Sequence, residues 1–171
     1  MRCHCASKPL LDLYGHHLAT GCAKMNCRFV THDSVAHTMN DILHYTGHRT
    51  KLEERRVFQE INPDDNRRPD ITVYNPSNTV AARLLLDISI TSPLTGYTGG
   101  NFPVGSAAKA RFNEKMNNYG AAAAQQGFSF LPIIFESTGF VHPEPSAIFV
   151  NLLCLVQIRE VFLPITYMPI S

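Results

Sequence analysis

Two aspartates stand in segments that otherwise have the composition of β-strands. Asp70 lies in RRPDITVYN and Asp87 lies in RLLLDISITSP. Carboxylates are depleted in strands and are costly to bury without a partner. Strand alternation puts each acid on the more polar face of its segment, so the two can approach each other if the strands pair as a hairpin. Two adjacent carboxylates repel unless a cation lies between them, so this pair predicts a site for a divalent ion such as Mg²⁺.

A second group of candidate ligands lies near the N-terminus, where four of the five cysteines fall within the first 27 residues. The spacing C-x-C-x11-H-x4-C is formed by Cys3, Cys5, His17 and Cys22. Four such ligands from a short segment suit a closed tetrahedral zinc site, whose binding energy would fold the segment. Alternative ligands are His4, His16 and Cys27. The competing interpretation is a set of unrelated thiols and surface histidines.

The elements that must position these groups follow from the apolar pattern. Helical spacing covers residues 33–46 and 106–126, and a closing helix is predicted at 146–160. Strand patterns occur at 69–74, 83–91 and 128–138, and a further strand is possible from Lys51. This order predicts an α/β domain with a mixed central sheet flanked by helices.

Composition narrows the class of protein. The chain has 171 residues, 44% hydrophobic content and a formal net charge of +1, which suits one domain with a small appended module. Near-neutral charge argues against a purely electrostatic nucleic-acid binder, but a nuclease needs only local basic patches. No signal-peptide layout is present, and the apolar stretch at 147–156 is shorter than the roughly 18 residues that span a bilayer. We therefore expect a soluble, intracellular protein.

The order of these motifs resembles a known family. The RRPD strand, the LLLDISITSP strand and the helical pair Lys115 and Tyr119 (K-x3-Y) are similar to the PD-(D/E)XK restriction-enzyme-like endonuclease domain of site-specific non-LTR retrotransposon proteins. In most PD-(D/E)XK enzymes the lysine follows the second acid by two residues, where this chain has Ser89. The retrotransposon proteins carry it on the next helix, behind a Cys-Cys-His-Cys knuckle ending in H-x4-C. The resemblance covers roughly residues 3–140, although C-x-C and the long gap before His17 depart from the commoner knuckle.

The resemblance implies a restriction-endonuclease-like core at 31–171 behind a zinc knuckle-like module at 1–30. It implies an Mg²⁺- or Mn²⁺-dependent endodeoxyribonuclease of the nucleus that nicks target DNA for retroelement integration, with DNA as partner, alone or with an RNA template complex. Asp70 and Asp87 would hold the metal, and Lys115 would stabilise transition-state charge or orient the attacking water. Nucleic-acid contacts are expected from Arg67, Arg68, Arg111 and Tyr119.

Several assignments remain open at the level of sequence. Lys109 is roughly 240° from Lys115 around a helix, so only one of them can face the site, and K-x3-Y favours Lys115. Additional acids could come from Asp41, Glu53, Glu54 or Glu136, and DNA-backbone contacts from His32 or His37. Two other functions compete with the nuclease: a catalytically silent, zinc-stabilised nucleic-acid-binding module, which the serine at position 89 favours, and a structural or protein-interaction domain.

Overall fold

The computed structural model describes residues 27–59, 62–76, 83–93 and 103–145. The four predicted zinc ligands, the side chain of Cys27 and the closing helix predicted at 146–160 lie outside the described residues. The helices are α1 (Cys27–Tyr45), α2 (Ser106–Lys115), a π-helical segment (Met116–Gly120) and α3 (Ala121–Gln125). The strands are β1 (Arg49–Leu52), β2 (Ile71–Tyr74), β3 (Arg83–Thr91) and β4 (Ser129–Glu136). Helix α1 therefore includes the predicted domain junction at residues 30 and 31.

The four strands form one mixed sheet in the order β1-β2-β3-β4. The first three strands are antiparallel neighbours, whereas β3 and β4 run parallel. A parallel pair needs a crossover connection, and α2 with its continuation to α3 lies in the chain between these two strands. The predicted α/β class with a mixed sheet and flanking helices is confirmed.

Helices cover both faces of this sheet. One face packs against α1 through an apolar cluster whose buried members are Ala36, Met39, Leu43, Ile71, Val73, Leu84, Leu86, Ile88, Leu131 and Ile133. On the other face Leu85 packs with Val57, Phe58 and Ala123, and Ile134 packs with Ala108 and Phe112. The more polar face of β3 is therefore not open to water: Asp87 is 3% exposed and Ser89 is 7% exposed.

Several elements differ in detail from the sequence prediction. Helix α1 begins at Cys27 rather than at 33, and Asp70 lies immediately before β2 rather than inside it. The helix predicted over 106–126 is interrupted by the π-helical segment, which ends at Gly120. Among the described residues, no helix is long and apolar enough to cross a membrane.

Candidate active site

The two aspartates lie side by side because of the register between β2 and β3. Ile71 pairs with Leu86, so the next position along places Asp70 opposite Asp87. The paired ladder ends at Ile71, and the Asp70 backbone N–H donates to the carbonyl of Leu86, the residue before Asp87, at 3.0 Å. The Asp70 carboxylate also accepts a hydrogen bond from the Ile88 backbone N–H, with 2.5 Å between Oδ2 and N. This second bond fixes the direction of the Asp70 side chain toward β3.

Lys115 reaches Asp87 from helix α2. Its Nζ donates a hydrogen bond to Asp87 Oδ1 at 3.0 Å and lies 2.7 Å from Oδ2, close enough for an ion pair but without hydrogen-bond geometry to that oxygen. Burial raises the pKa of Asp87, the charge of Asp70 raises it further, and Lys115 opposes both effects without cancelling them. Lys109, the rejected alternative, is exposed.

His32 is the partner of the other aspartate. Its Nε2 lies 3.2 Å from Asp70 Oδ2, and its Nδ1 lies 3.1 Å from Asp33 Oδ1. The hydrogen bond to Asp70 raises the pKa of His32 to about 9, in spite of partial burial. His32 is therefore protonated at neutral pH and donates to both carboxylates, so each of the two site aspartates has its own cationic neighbour. No local pattern marks this contact, because His32 belongs to α1 and only the folded chain brings it to β2.

Ser89, in the position of the lysine of the motif that the sequence resembles, accepts a hydrogen bond from Arg111. The Arg111 Nε donates to Ser89 Oγ at 3.0 Å, and its NH1 lies 2.6 Å from Glu114 Oε1. Arg111 and Lys115 thus lie on the same face of the helix, where Arg111 contacts Ser89 and Lys115 contacts Asp87. Four residues of helix rise by about 6 Å and two residues of strand by about 6.6 Å, so the two spacings match. The pairing runs in opposite directions along α2 and β3, as a helix that returns the chain to a parallel strand requires.

Arg67 and Tyr119 belong to one packed cluster at the rim of the site. The Arg67 guanidinium binds Asp65 through Nε and NH2, at 2.9 and 2.6 Å, and its NH1 donates to the Asn118 carbonyl. It lies over the rings of Phe58 and Tyr119, 5.2 and 5.3 Å from their centroids. The hydrogen bonds between Arg67 and Asp65 raise the pKa of Arg67 and lower that of Asp65. Arg67 therefore joins the loop before β2 to the π-helical segment, in addition to facing the pocket.

These groups line one open pocket of about 510 Å³. The seven residues to which the resemblance assigns catalysis or nucleic-acid contact all line it: Asp70, Asp87, Lys115, Arg67, Arg68, Arg111 and Tyr119. His32, Ser89 and Glu53 line it as well, whereas Asp41 and Glu54 do not. Glu136 has a structural contact instead, because its buried Oε1 accepts the Ala108 backbone N–H at 3.1 Å near the start of α2. His37 lines a neighbouring pocket that His32 and Asp70 share.

The side chains that could bind a metal ion can be compared with the predicted ion, Mg²⁺. Within the described ranges, no group of three or more His, Cys, Asp or Glu side chains is placed to hold an ion. Mg²⁺ differs from zinc in this respect, since proteins often bind it through one or two carboxylates while water and substrate phosphate supply the other ligands. Asp70 and Asp87, adjacent and directed into an open pocket, fit that mode of binding.

No protein-family model matches the sequence, and no curated protein matches it. The function has to be inferred from the side chains themselves.

Proposed function

We propose that this chain is a metal-dependent DNA endonuclease. The observation that carries the proposal is the meeting of Asp70, Asp87 and Lys115 in one pocket. These residues come from the start of β2, the middle of β3 and the end of α2. They are the three that the sequence motif singles out, and their meeting depends on a strand register and a helix direction that the motif does not specify.

The residues have distinct roles in this proposal. Asp70 and Asp87 hold Mg²⁺ or Mn²⁺, with water and a DNA phosphate completing the coordination. When bound, such an ion lowers the pKa of a coordinated water and offsets charge on the phosphate. The Lys115 ammonium lies beside Asp87, where it can donate to a phosphate oxygen as charge develops on it. Arg111, fixed by Ser89 and Glu114, adds a second cation on the same side of the pocket.

The resemblance to retrotransposon endonucleases extends the proposal. The described α/β unit is then a restriction-endonuclease-like core, and the segment before α1 forms a knuckle that holds zinc through Cys3, Cys5, His17 and Cys22. The reaction is the nicking of target DNA in the nucleus, which leaves a 3′-hydroxyl that can prime reverse transcription. Arg67, Arg68 and Tyr119 line the pocket on the side of the loop before β2, where they can contact the DNA backbone.

Nicking of supercoiled plasmid tests the activity. The full chain is expected to convert supercoiled to open-circular DNA with Mg²⁺ or Mn²⁺ and not without added metal. Asp87→Asn and Lys115→Met should each slow nicking by about 10²-fold or more, because the first weakens binding of the metal and the second removes a cation beside the reacting phosphate. Lys109→Met is the matched control, since it removes an exposed lysine from the same helix and should leave the rate unchanged. The endonuclease assignment would be refuted if no metal supported nicking, or if Lys115→Met and Lys109→Met nicked DNA at the same rate.

One observation favours a second candidate, a nuclease fold that binds nucleic acid without cutting it. Ser89 replaces the lysine of the commoner motif and is occupied by Arg111. A binding module of this kind predicts that DNA affinity persists in the wild-type chain while no metal supports nicking. The plasmid assay together with a direct binding measurement separates the two functions.

A further inference from the structure

The loop after β1 presents two arginines from a segment that is anchored in the core. In the run Glu54-Arg55-Arg56-Val57-Phe58, the first and the last two residues are buried, whereas both arginines are exposed. Glu54 Oε1 accepts a hydrogen bond from the Tyr74 hydroxyl at 2.5 Å, and Phe58 packs with Leu85. The two charged side chains are therefore held at the surface by core contacts on either side of them.

The backbone of this loop is in a conformation that side chains rarely adopt. Arg56 has φ 65° and Glu53 has φ 44°, both in the left-handed region that glycine or asparagine usually occupies. Such conformations persist only where the surrounding structure imposes them, and they concentrate at functional sites. Arg56 combines this backbone conformation with an exposed side chain.

A second pocket, of about 500 Å³, lies at this loop. The described residues that line it are Arg55, Arg56, Gln59, Asn66 and Arg68, and we call it the arginine pocket. This lining contains three guanidinium groups and two amides, and none of its described members is acidic or apolar. Gln59 Nε2 lies 3.5 Å from Asn66 Oδ1, which links its two sides. Asn66 and Arg68 also line the pocket that holds Asp70 and Asp87, so the two spaces adjoin.

We propose that the arginine pocket binds a phosphodiester group of the DNA strand, next to the phosphate that the metal ion at Asp70 and Asp87 would bind. Guanidinium forks and amide N–H groups match phosphate oxygens. Because Arg68 NH1 already lies 3.2 Å from Glu53 Oε2, the attraction for an anion comes mainly from Arg55 and Arg56. A polymer whose phosphates fill both adjoining pockets gains contacts that a free anion cannot make. The contact positions the strand and carries no base specificity. The choice of DNA rests on the proposed function, whereas the phosphate chemistry rests on the pocket alone.

The salt dependence of binding tests the proposal without any cleavage. Affinity for a fluorescent DNA duplex is measured by anisotropy over a series of NaCl concentrations, with no added divalent metal. Loss of one phosphate contact reduces the slope of log K against log salt by about 0.9. We expect a reduction of at least this size for Arg55→Gln/Arg56→Gln. The control Arg49→Gln/Lys109→Gln removes the same charge from exposed residues outside both pockets and should change the slope much less.

A single substitution separates binding from folding. Arg56→Gly suits the left-handed backbone better than arginine does, so it should leave the protein as stable or more stable while it lowers DNA affinity. A destabilised Arg56→Gly protein with unchanged affinity would mean that Arg56 serves the fold, which would overturn the proposal. So would a salt slope of the double variant equal to that of its control, or a wild-type chain without measurable DNA binding.

The outcome is distinct from that of the nuclease test. A reduced salt slope with no metal-dependent nicking would support the arginine pocket and refute the endonuclease. Nicking that depends on Asp87, combined with an unchanged salt slope, would support the endonuclease and refute the arginine pocket. If both hold, Arg55→Gln/Arg56→Gln should raise the KM for DNA several-fold and leave kcat nearly unchanged, because this pocket contacts a phosphate that does not react.

Discussion

The pair formed by Asp87 and Lys115 is almost withdrawn from solvent, with side chains 5% and 14% exposed. Buried ion pairs are weak sources of stability, because desolvation offsets most of the attraction between the charges. The raised pKa of Asp87 indicates that burial outweighs the favourable charge of Lys115 at this position. A carboxylate kept in such surroundings, in a pocket with a second carboxylate, is more typical of a functional site than of a structural contact.

His32 should make stability depend on pH in a defined window. Its pKa in the folded protein, about 9, lies above its ordinary value of 6.5, so the folded state retains a proton that the unfolded chain loses between these values. The contribution of His32 to the free energy of unfolding is therefore complete below pH 6.5, declines as pH rises toward 9 and is absent above pH 9. Its size is on the order of 2 kcal/mol, since one unit of pKa corresponds to about 1.4 kcal/mol and the ring is partly exposed.

Urea denaturation of wild type and His32→Gln at pH 6, 8 and 10, in metal-free buffer, measures this contribution as the difference between the two proteins. The difference should shrink with increasing pH. His37→Gln is the matched control, because His37 is exposed on the same helix, and it should follow the wild-type curve. A His32→Gln difference that is constant over the whole range would show that the interaction with Asp70 does not depend on the proton.

The sequence predicted part of this site and could not predict the rest. It could predict Asp70, Asp87 and Lys115, because strand alternation, motif order and helical spacing each depend on neighbouring residues. It could not predict the contact between His32 and Asp70, because these residues are 38 apart and meet only through tertiary packing. The bond from Arg111 to Ser89 has the same origin. A serine in the usual lysine position is visible in the sequence, but the group that occupies it is not.

At the scale of elements, the direction of α2 decides which cations reach β3. Gly105 precedes the first residue of this helix, with φ 79°, and a Cβ at this position would collide with the Phe140 ring. The buried Glu136 carboxylate accepts the Ala108 backbone N–H in the first turn. Strand boundaries were predicted well because apolar runs and turns mark them, and β3 was predicted at its observed limits. The π-helical segment was not predicted, and its Tyr119 ring contacts Phe58 and Phe130, which are distant in the sequence.

Gly105→Ala should destabilise the protein more than the same substitution at another left-handed glycine. A Cβ at Gly105 would lie 2.6 Å from two atoms of the Phe140 ring, whereas at Gly47, with φ 80°, it would meet nothing within 4 Å. Both variants carry the backbone penalty of about 1 kcal/mol. Displacement of Phe140 should add about 1–3 kcal/mol at Gly105 alone. Thermal or urea denaturation of both variants measures the difference, and equal destabilisation would mean that the ring moves aside without cost.

At the scale of the whole molecule, the site lies where the two covering layers meet the sheet. His32 comes from α1 on one face, and Lys115 and Arg111 come from α2 on the other. The overall class was predictable because alternating helix and strand patterns leave few arrangements with both sheet faces covered. The near-neutral total charge does not describe the pocket linings, since Arg55 and Arg56 line one pocket, Arg67 lines the other and Arg68 lines both.

Because the carboxylates meet only in the folded chain, metal binding should stabilise the whole molecule. An ion that binds the folded state alone adds about 1.4 kcal/mol to the free energy of unfolding at ten times its Kd. Urea denaturation with increasing MgCl₂ at constant ionic strength measures this increase. Asp87→Asn should abolish most of it, whereas Asp41→Asn, which removes an exposed acid of α1 outside the pocket, should retain it. Equal stabilisation of both variants would assign the effect to general charge screening and remove the support for a metal held by Asp70 and Asp87.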